Sequence, residues 1–505
     1  MEKTSKTQNA CPNSKSASLG PDRSAKSYGR PRPTSLPYLD LNMYRKNTNV
    51  LARFGDKSPG IKLQMMAIGN RRFLFDNSGG IIDLTDPLHP AMFNKNAYAK
   101  GSPQLAYNKK LRKWILLVGA RVPGTFPTPQ WPLGKYSNPD LIERSVNHKG
   151  LRGLRIYDAT DPSKITLLSE WSCDQGDPSR ERQTGGGVTG VFYDGGQYAY
   201  LDAAPDDTFK CFECAWRVFG SCLQILDVSD PMKPKFVTNW WIPGQRIGEE
   251  DEARKWPEYG DRESANCLHT SVVMPKRVED GGRYAYSAWG SFGMFIHDLS
   301  DIRAPRVVGR FNPPKEPGSW PFHTVDISKL HRGFVITNTE PLYPDGEEAY
   351  QPLYVIDVRD PANPKELSKL PVPIPPPDAP YKDFNDKRGR FGSYNPPFPQ
   401  SPGKPDPNFT AYSFFNAGLQ IFDVSDPSRP KITGYFIPPH TGTWEDPDSH
   451  ERLVDVIYVE WDRKLIWVGS LSGLYLITSP LLGEPILKPM AVEQWALPGL
   501  NEGHP

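Results

Sequence analysis

The sequence predicts an all-β protein, a seven-bladed β-propeller of four-stranded antiparallel blades. Three observations carry this. An aspartate turn of the form Asp-x-x-Asp-Pro-x-x-Pro recurs after apolar strands, with first aspartates at 83, 158, 227, 298, 357 and 423. The segments around each turn are short, rich in Val, Ile, Tyr and Phe, and bounded by Gly, Pro and Asp, which is the antiparallel pattern. Glycine (43) and proline (54) are abundant among 505 residues, and long amphipathic helical periods are absent. That combination argues against helical architectures.

One unit, read in order, spells out a blade. His269-Thr-Ser-Val-Val-Met opens it as an apolar strand, and the turn Glu279-Asp-Gly-Gly-Arg follows. Tyr284-Ala-Tyr-Ser-Ala-Trp is the second strand, Gly293-Met-Phe-Ile-His-Asp-Leu the third and Arg306-Val-Val-Gly-Arg-Phe the fourth. In the turn, the first Asp ends the third strand. The second Asp is expected to accept backbone N–H groups in an Asx turn, with the following Pro fixing φ. The last Pro falls where the outer strand begins, at an edge that tolerates a residue unable to donate.

First aspartates stand 59 to 75 residues apart, whereas a bare four-stranded blade needs roughly 40–50. The surplus belongs in loops. A degenerate seventh unit, Gly473-Leu-Tyr-Leu-Ile-Thr-Ser-Pro480, completes seven blades, and radial closure removes the edge-strand problem. Two segments compete for the last blade's outer strand: Asn49-Val-Leu-Ala-Arg-Phe, which matches the outer strand at Arg306, and the region around Pro485-Ile-Leu-Lys. The one not used is expected along the edge.

The recurrent Leu-x-Ile-x-Asp-Val-Ser-Asp-Pro, clearest at Leu223–Pro231 and Leu419–Pro427, resembles the LVIVD-repeat family of propellers over about residues 60–485. The resemblance implies the propeller fold and is nearly silent on chemistry. Three copies depart from it: Gly79-Gly-Ile-Ile-Asp lacks a residue, Ile165 replaces the last Pro of the second, and the seventh lacks both aspartates.

With 60 basic and 58 acidic residues the net charge is +2, so no nucleic-acid surface is expected. No apolar run reaches membrane-spanning length, and the polar N-terminus has no secretory h-region. A cytoplasmic, reducing compartment follows, in which disulfides are not the default for six cysteines. Residues 1–37, rich in Ser, Lys and Pro, read as a flexible arm, and 38–505 as a single propeller domain with long loops on one face.

That face carries the connections between second and third strands and those leading into each new blade. Its long loops fall at about 122–150, 203–222, 243–268, 312–322, 340–352 and 437–452, and long loops on a rigid scaffold concentrate function. His269 and His323 each open an inner strand as His-Thr, at one rim of the channel. His450 lies just ahead of blade seven's inner strand, with His440 further back. Tyr394-Asn395 stands at the matching place in blade six, and Gln64, Gln104 and Thr189 in blades one to three. Asp202 and Glu340 end second strands on this face, and Asp455 approaches the rim.

Imidazoles converging on a channel mouth can hold a divalent transition metal, Zn, Fe, Cu or Mn. They can also serve as general acid and base without one, or simply bond neighbouring backbone. His269, His323, His450 and His440 are the expected metal ligands, and His269, His323, Asp202 and Glu340 the expected catalytic groups.

Other motifs are weaker. Cys211-Phe-Glu-Cys214 with Cys222 is half a zinc knuckle without a second Cys-x-x-Cys. Gly185-Gly-Gly187 lacks the Lys-Ser/Thr of a phosphate loop, and no Gly-x-Ser-x-Gly elbow occurs. No nucleotide cofactor is expected. Glu249–Glu252 reads as a solvated acidic run. Trp131, Trp216, Trp240, Trp241, Trp256, Trp320 and Trp444 crowd the face loops, either to pack them or to form an apolar pocket.

The expected function is a soluble enzyme, a metal-dependent hydrolase, lyase or oxidoreductase, acting on a small, partly apolar molecule at the loop-covered channel mouth. Two alternatives remain: a non-catalytic scaffold for a protein partner, and a metal-free acid/base lyase or hydrolase using the same histidines. The N-terminal arm is suited to wrapping a neighbouring subunit in a homo-oligomer. Size-exclusion chromatography checks this: the full chain should elute as an oligomer and a chain starting at residue 38 as a monomer, whereas identical elution removes the arm from assembly.

Overall fold

The structure, a computed structural model, describes residues 40–121, 148–173, 186–204, 222–246, 248–259, 268–313, 322–341, 350–387, 389–441 and 453–505. Seven antiparallel sheets of three or four strands stand in a ring, the seven-bladed propeller the repeat predicts. Blade one runs Gln64–Ile68, Arg71–Phe75, Ile81–Asp83 and Ala91–Asn94 from channel to periphery. Blades two, three and five repeat that order. Burial follows it: blade five's inner strand, Phe322–Asp326, is wholly buried, while its outer strand, Lys365–Lys369, is mostly exposed. Among the described residues no helix is long and apolar enough to cross a membrane.

Two blades depart from four regular strands. The segment expected to be blade four's inner strand pairs irregularly, through His269 N on Ala288 O and a bridge of Val273 to Tyr286, and leaves three regular strands in the sheet. Its hydroxyls bond sideways instead: Ser271 Oγ donates to the Tyr200 carbonyl of blade three and Thr270 Oγ1 to the His323 carbonyl of blade five, both at 2.8 Å. Side-chain bonds of this kind compete with the ladder. In blade six the inner segment attaches through Tyr394 N to Ser413 O and Ser413 N to Asn395 O. Pro396, Pro397 and Pro399 follow, and residues without N–H cannot extend the pairing.

Closure uses the N-terminal side of the chain twice. Asn49–Phe54 is the outer strand of blade seven, paired with Gly473–Thr478, and Tyr44–Lys46 adds an outermost strand to blade six. The C-terminal segment does not run along that edge. It crosses the face that carries the aspartate turns, bonding Arg463 O, Gly403 N, Tyr107 N, Arg277 and Gly69 N through Ile486, Gln494, Asn501, Gly499 and Pro505.

The aspartate turns are double. In all six copies both aspartates, not only the second, accept the N–H two residues on, at 2.8–3.0 Å. Burial alone would raise Asp83, Asp158 and Asp227, yet these bonds and a facing Arg71, Lys113 or Gln197 hold them below the usual carboxylate range. Asp298 is lowered most by Arg283, which lies at 2.8 Å.

The seam between blades seven and one holds a fully buried ionic cluster. Glu460 takes Arg463 Nη2 on Oε1 at 2.8 Å and Trp467 Nε1 on the same oxygen at 2.7 Å, while Arg72 pairs with its Oε2 and with Asp462. Burial would raise the Glu460 carboxyl, but Arg463 and Arg72 pull it from 4.5 down to about 2.

Glu460→Ala should lower stability by about 3–5 kcal/mol, because the buried Arg463 loses its carboxylate partner and the buried Arg72 one of its two. Thermal unfolding at pH 7 reads this. The lowered carboxyls contribute stability above their unfolded pKa, so the midpoint should hold from pH 7 to about 5 and fall progressively below about pH 4.5.

Candidate functional site

The channel holds a cavity of about 580 Å³ whose wall includes Gln104, Thr189, His269, His323 and Tyr394, the rim positions the repeat register picks out. His323 sits on Phe322–Asp326, and the register with Phe334–Thr339 shifts between Phe322 and Thr324. The same shift occurs at Thr189 in blade three and at Asp455 in blade seven. A bulge of this kind bends the strand and re-aims its extra residue. Glu340 follows directly on blade five's second strand, so the bulge and that strand's end bring His323 and Glu340 together. His269 arrives from blade four's irregular inner segment, its backbone N–H on Ala288 O at 3.2 Å.

The two imidazoles lie 4.3 Å apart between ring centres, tilted by 59°. Both Nε2 atoms approach one oxygen, Oε2 of Glu340, at 3.4 Å from His269 and 3.6 Å from His323. Oε1 of Glu340 takes Arg390 Nη1 at 3.2 Å. His323 Nδ1 lies 3.1 Å from the Tyr394 carbonyl, which also accepts Asn338 Nδ2 at 2.8 Å. The Tyr394 ring stacks on His323 at 4.8 Å. His323 and Glu340 are buried and His269 partly so.

These contacts orient the imidazole. A carbonyl only accepts, so Nδ1 of His323 donates to it, and Nε2 is the atom turned toward Glu340. Facing a carboxylate oxygen, Nε2 donates to it from a protonated ring or, from a neutral ring, can share a cation with it. The separations exceed the usual N–H···O range. They match the edge of a tetrahedron around an ion with bonds of roughly 2.0–2.2 Å, which is about 3.3–3.6 Å. His269, His323 and Glu340 are the group of three such residues within 4.8 Å of one another among the described residues.

Other expected site residues lie elsewhere. Asp202 is buried in blade three's ladder opposite Gly190 and Leu223. His440 is buried past the end of blade six's Lys431–Ile437 strand, its N–H on Asp40 O. Neither joins the group. Asp455 accepts Ser58 Oγ at 3.1 Å. His450 lies outside the described residues, as do Cys211, Cys214, Trp131, Trp216, Trp320 and Trp444. Cys173 and Cys222 are buried in the core.

Trp240 packs on Trp289 and His297, and Trp256 on Phe292 beneath Arg310. Trp241 donates to Glu249, whose carboxylate also accepts Gly244 N, so Glu249 clasps its loop rather than facing solvent. Trp240 thus packs blade three on blade four, Trp241 and Trp256 pack their loop, and none of the three is in the cavity wall.

Sequence reasoning missed two groups, Arg390 against Glu340 and Lys62 in the cavity wall. Arg390 comes from a stretch with no repeat register. Lys62 precedes blade one's inner strand and sends Nζ to the Val191 carbonyl of blade three at 3.1 Å. Its place two residues ahead of the rim position Gln64 was the one available signal.

Among curated proteins no relative matches the chain. Three solved structures are similar: the computationally designed Ika8 protein (9% identity, 85% of this chain and 99% of that one, TM-score 0.41); Raptor from Chaetomium thermophilum (10%, 88% and 30%, 0.45); and the beta-propeller domain of Cps50 (Swd1) from Myceliophteria thermophila (11%, 86% and 99%, 0.44). None of them bears on function at these values. Residues 408–436, which span the three peripheral strands that blade six builds from its own repeat, match the family model for the LVIVD repeat. The chain is thus a seven-bladed β-propeller that carries an LVIVD repeat, in keeping with an LVIVD-repeat propeller family.

Proposed function

We propose that this protein is an enzyme acting on a small, partly apolar molecule at the mouth of its central channel, with a divalent transition metal held by His269, His323 and Glu340. The observation that carries this reading is the approach of two Nε2 atoms to one carboxylate oxygen at 3.4 and 3.6 Å. Two imidazoles and a carboxylate suit Zn or Fe, and this set leaves a coordination position open, as catalytic sites require. Such an ion supplies Lewis acidity, either lowering the pKa of a bound water or polarising a substrate oxygen.

The chain's own groups set the geometry. The Tyr394 carbonyl fixes the His323 tautomer, and Arg390 holds the far oxygen of Glu340 so that the near one faces the imidazoles. Buried walls exclude water around them. A scaffold for a protein partner would have no need of this convergence.

Metal analysis of the purified full chain should find about one equivalent per chain. His323→Ala and Glu340→Gln should each lose it, and Arg390→Gln should weaken it about 10–100-fold. His440→Ala should keep it. A metal-free wild type, or full retention in both ligand variants with folding verified by circular dichroism, overturns the reading in favour of metal-free acid/base chemistry or a scaffold.

A further inference from the structure

Lys62 stands out in the cavity wall. Blade one is three blades from blade four and three from blade five around the ring, so Lys62 lies on the far side of the channel from His269 and His323. Its backbone is anchored by Asn77 Oδ1 on its N–H at 2.6 Å, and its side chain reaches toward blade three. An ammonium has three donors, of which one goes to the Val191 carbonyl. Burial lowers its pKa from 10.5 to about 8, with no carboxylate among the described residues offsetting that cost.

The charge balance of the wall points the same way. Lys100, Arg121, His148 and Arg155 also line the cavity, and Arg155 is paired with Glu170 at 2.9 Å. Asp326 is the carboxylate among the described lining residues, and it is engaged with blade six, accepting Tyr412 Oη at 3.2 Å and Thr410 Oγ1 at 3.4 Å. A half-buried cation left uncompensated by the described residues is a place for an anion from outside. Ile61, Val191, Val273 and Phe398 supply apolar wall to the same cavity. The volume, about 580 Å³, falls within the range of small-molecule sites.

We infer that the cavity takes a small organic carboxylate, with Lys62 receiving its anionic end and the apolar wall its body. This rests on the channel mouth being the site, and it adds the class of molecule. A carboxylate held at Lys62 leaves the opposite end of the molecule toward His269, His323 and Glu340. Lys62 is here a binding residue that fixes orientation across the channel.

Isothermal titration of the full chain with phenylacetate and hexanoate, against phenylacetamide and hexanamide, tests it. At pH 7 each acid should bind at least about tenfold more tightly than its amide, as a charge-assisted contact implies. Lys62→Met should abolish that preference and Lys62→Arg should keep most of it. Raising the pH from 7 to 9 should weaken the acids about tenfold as the amine loses its proton, and leave the amides unchanged.

Acids that bind no better than their amides, acids that do not bind, or an unchanged preference in Lys62→Met overturn the inference. Should Lys62→Met fail to fold, the wild-type pH series decides. The same titration on His323→Ala separates the two readings. An acid preference that persists in a chain without metal leaves this inference standing and the metal assignment fallen. Bound metal with no acid preference does the reverse.

Discussion

A ring of sheets is held only where its last blade is completed by the first part of the chain. Here that junction is the pairing of Asn49–Phe54 with Gly473–Thr478, reinforced by Arg72, Glu460 and Arg463 buried in the seam next to it. The cluster is expensive to form in a dry interior and far more expensive to break, so it acts mainly as a specificity device that rejects other registers. Asp462 and the Met490 carbonyl also bond Arg72, and the C-terminal segment then crosses the same face to reach blades one, two and four. The inner strands line the channel of the ring that this junction closes.

The rim groups depend on that closure because they are contributed by different blades. His269 comes from blade four, His323 and Glu340 from blade five, and the carbonyl that orients His323 from blade six. The cross-blade bond from Thr270 to the His323 carbonyl links the two histidine-bearing segments directly. Blade four gives up a regular inner strand to make it, and blade five gives up a straight one. Such local departures from ideal pairing collect where a fold presents functional side chains.

Much of the fold was legible because its signals are local and repeated. The aspartate turns set blade number and strand order, and their register put His269 and His323 at one rim. Glu340 was readable as the end of a second strand. The double capping was half visible, since nothing in the composition separates an aspartate that ends a strand from one that also caps. The bulge at His323 was not readable, because one extra residue in a strand leaves hydrophobic alternation almost unchanged. His440 looked equivalent to the rim histidines because loop length says nothing about direction. Arg390 comes from a segment outside the repeat, and Lys62 is marked only by its place two residues ahead of Gln64, which does not tell that its side chain crosses to blade three. The path of the C-terminal segment was set by long-range bonds and by Trp495 packing on Trp114, which no periodicity encodes.

We propose that His269, His323 and Glu340 are arranged around a cation. Anomalous difference density from crystals of the full chain, grown without chelator, addresses it most directly. A cation there gives a single peak about 2.0–2.2 Å from both Nε2 atoms and from one Glu340 oxygen. Empty density, with either imidazole closed to within about 2.9 Å of the Glu340 carboxylate in an ordinary hydrogen bond, would contradict it.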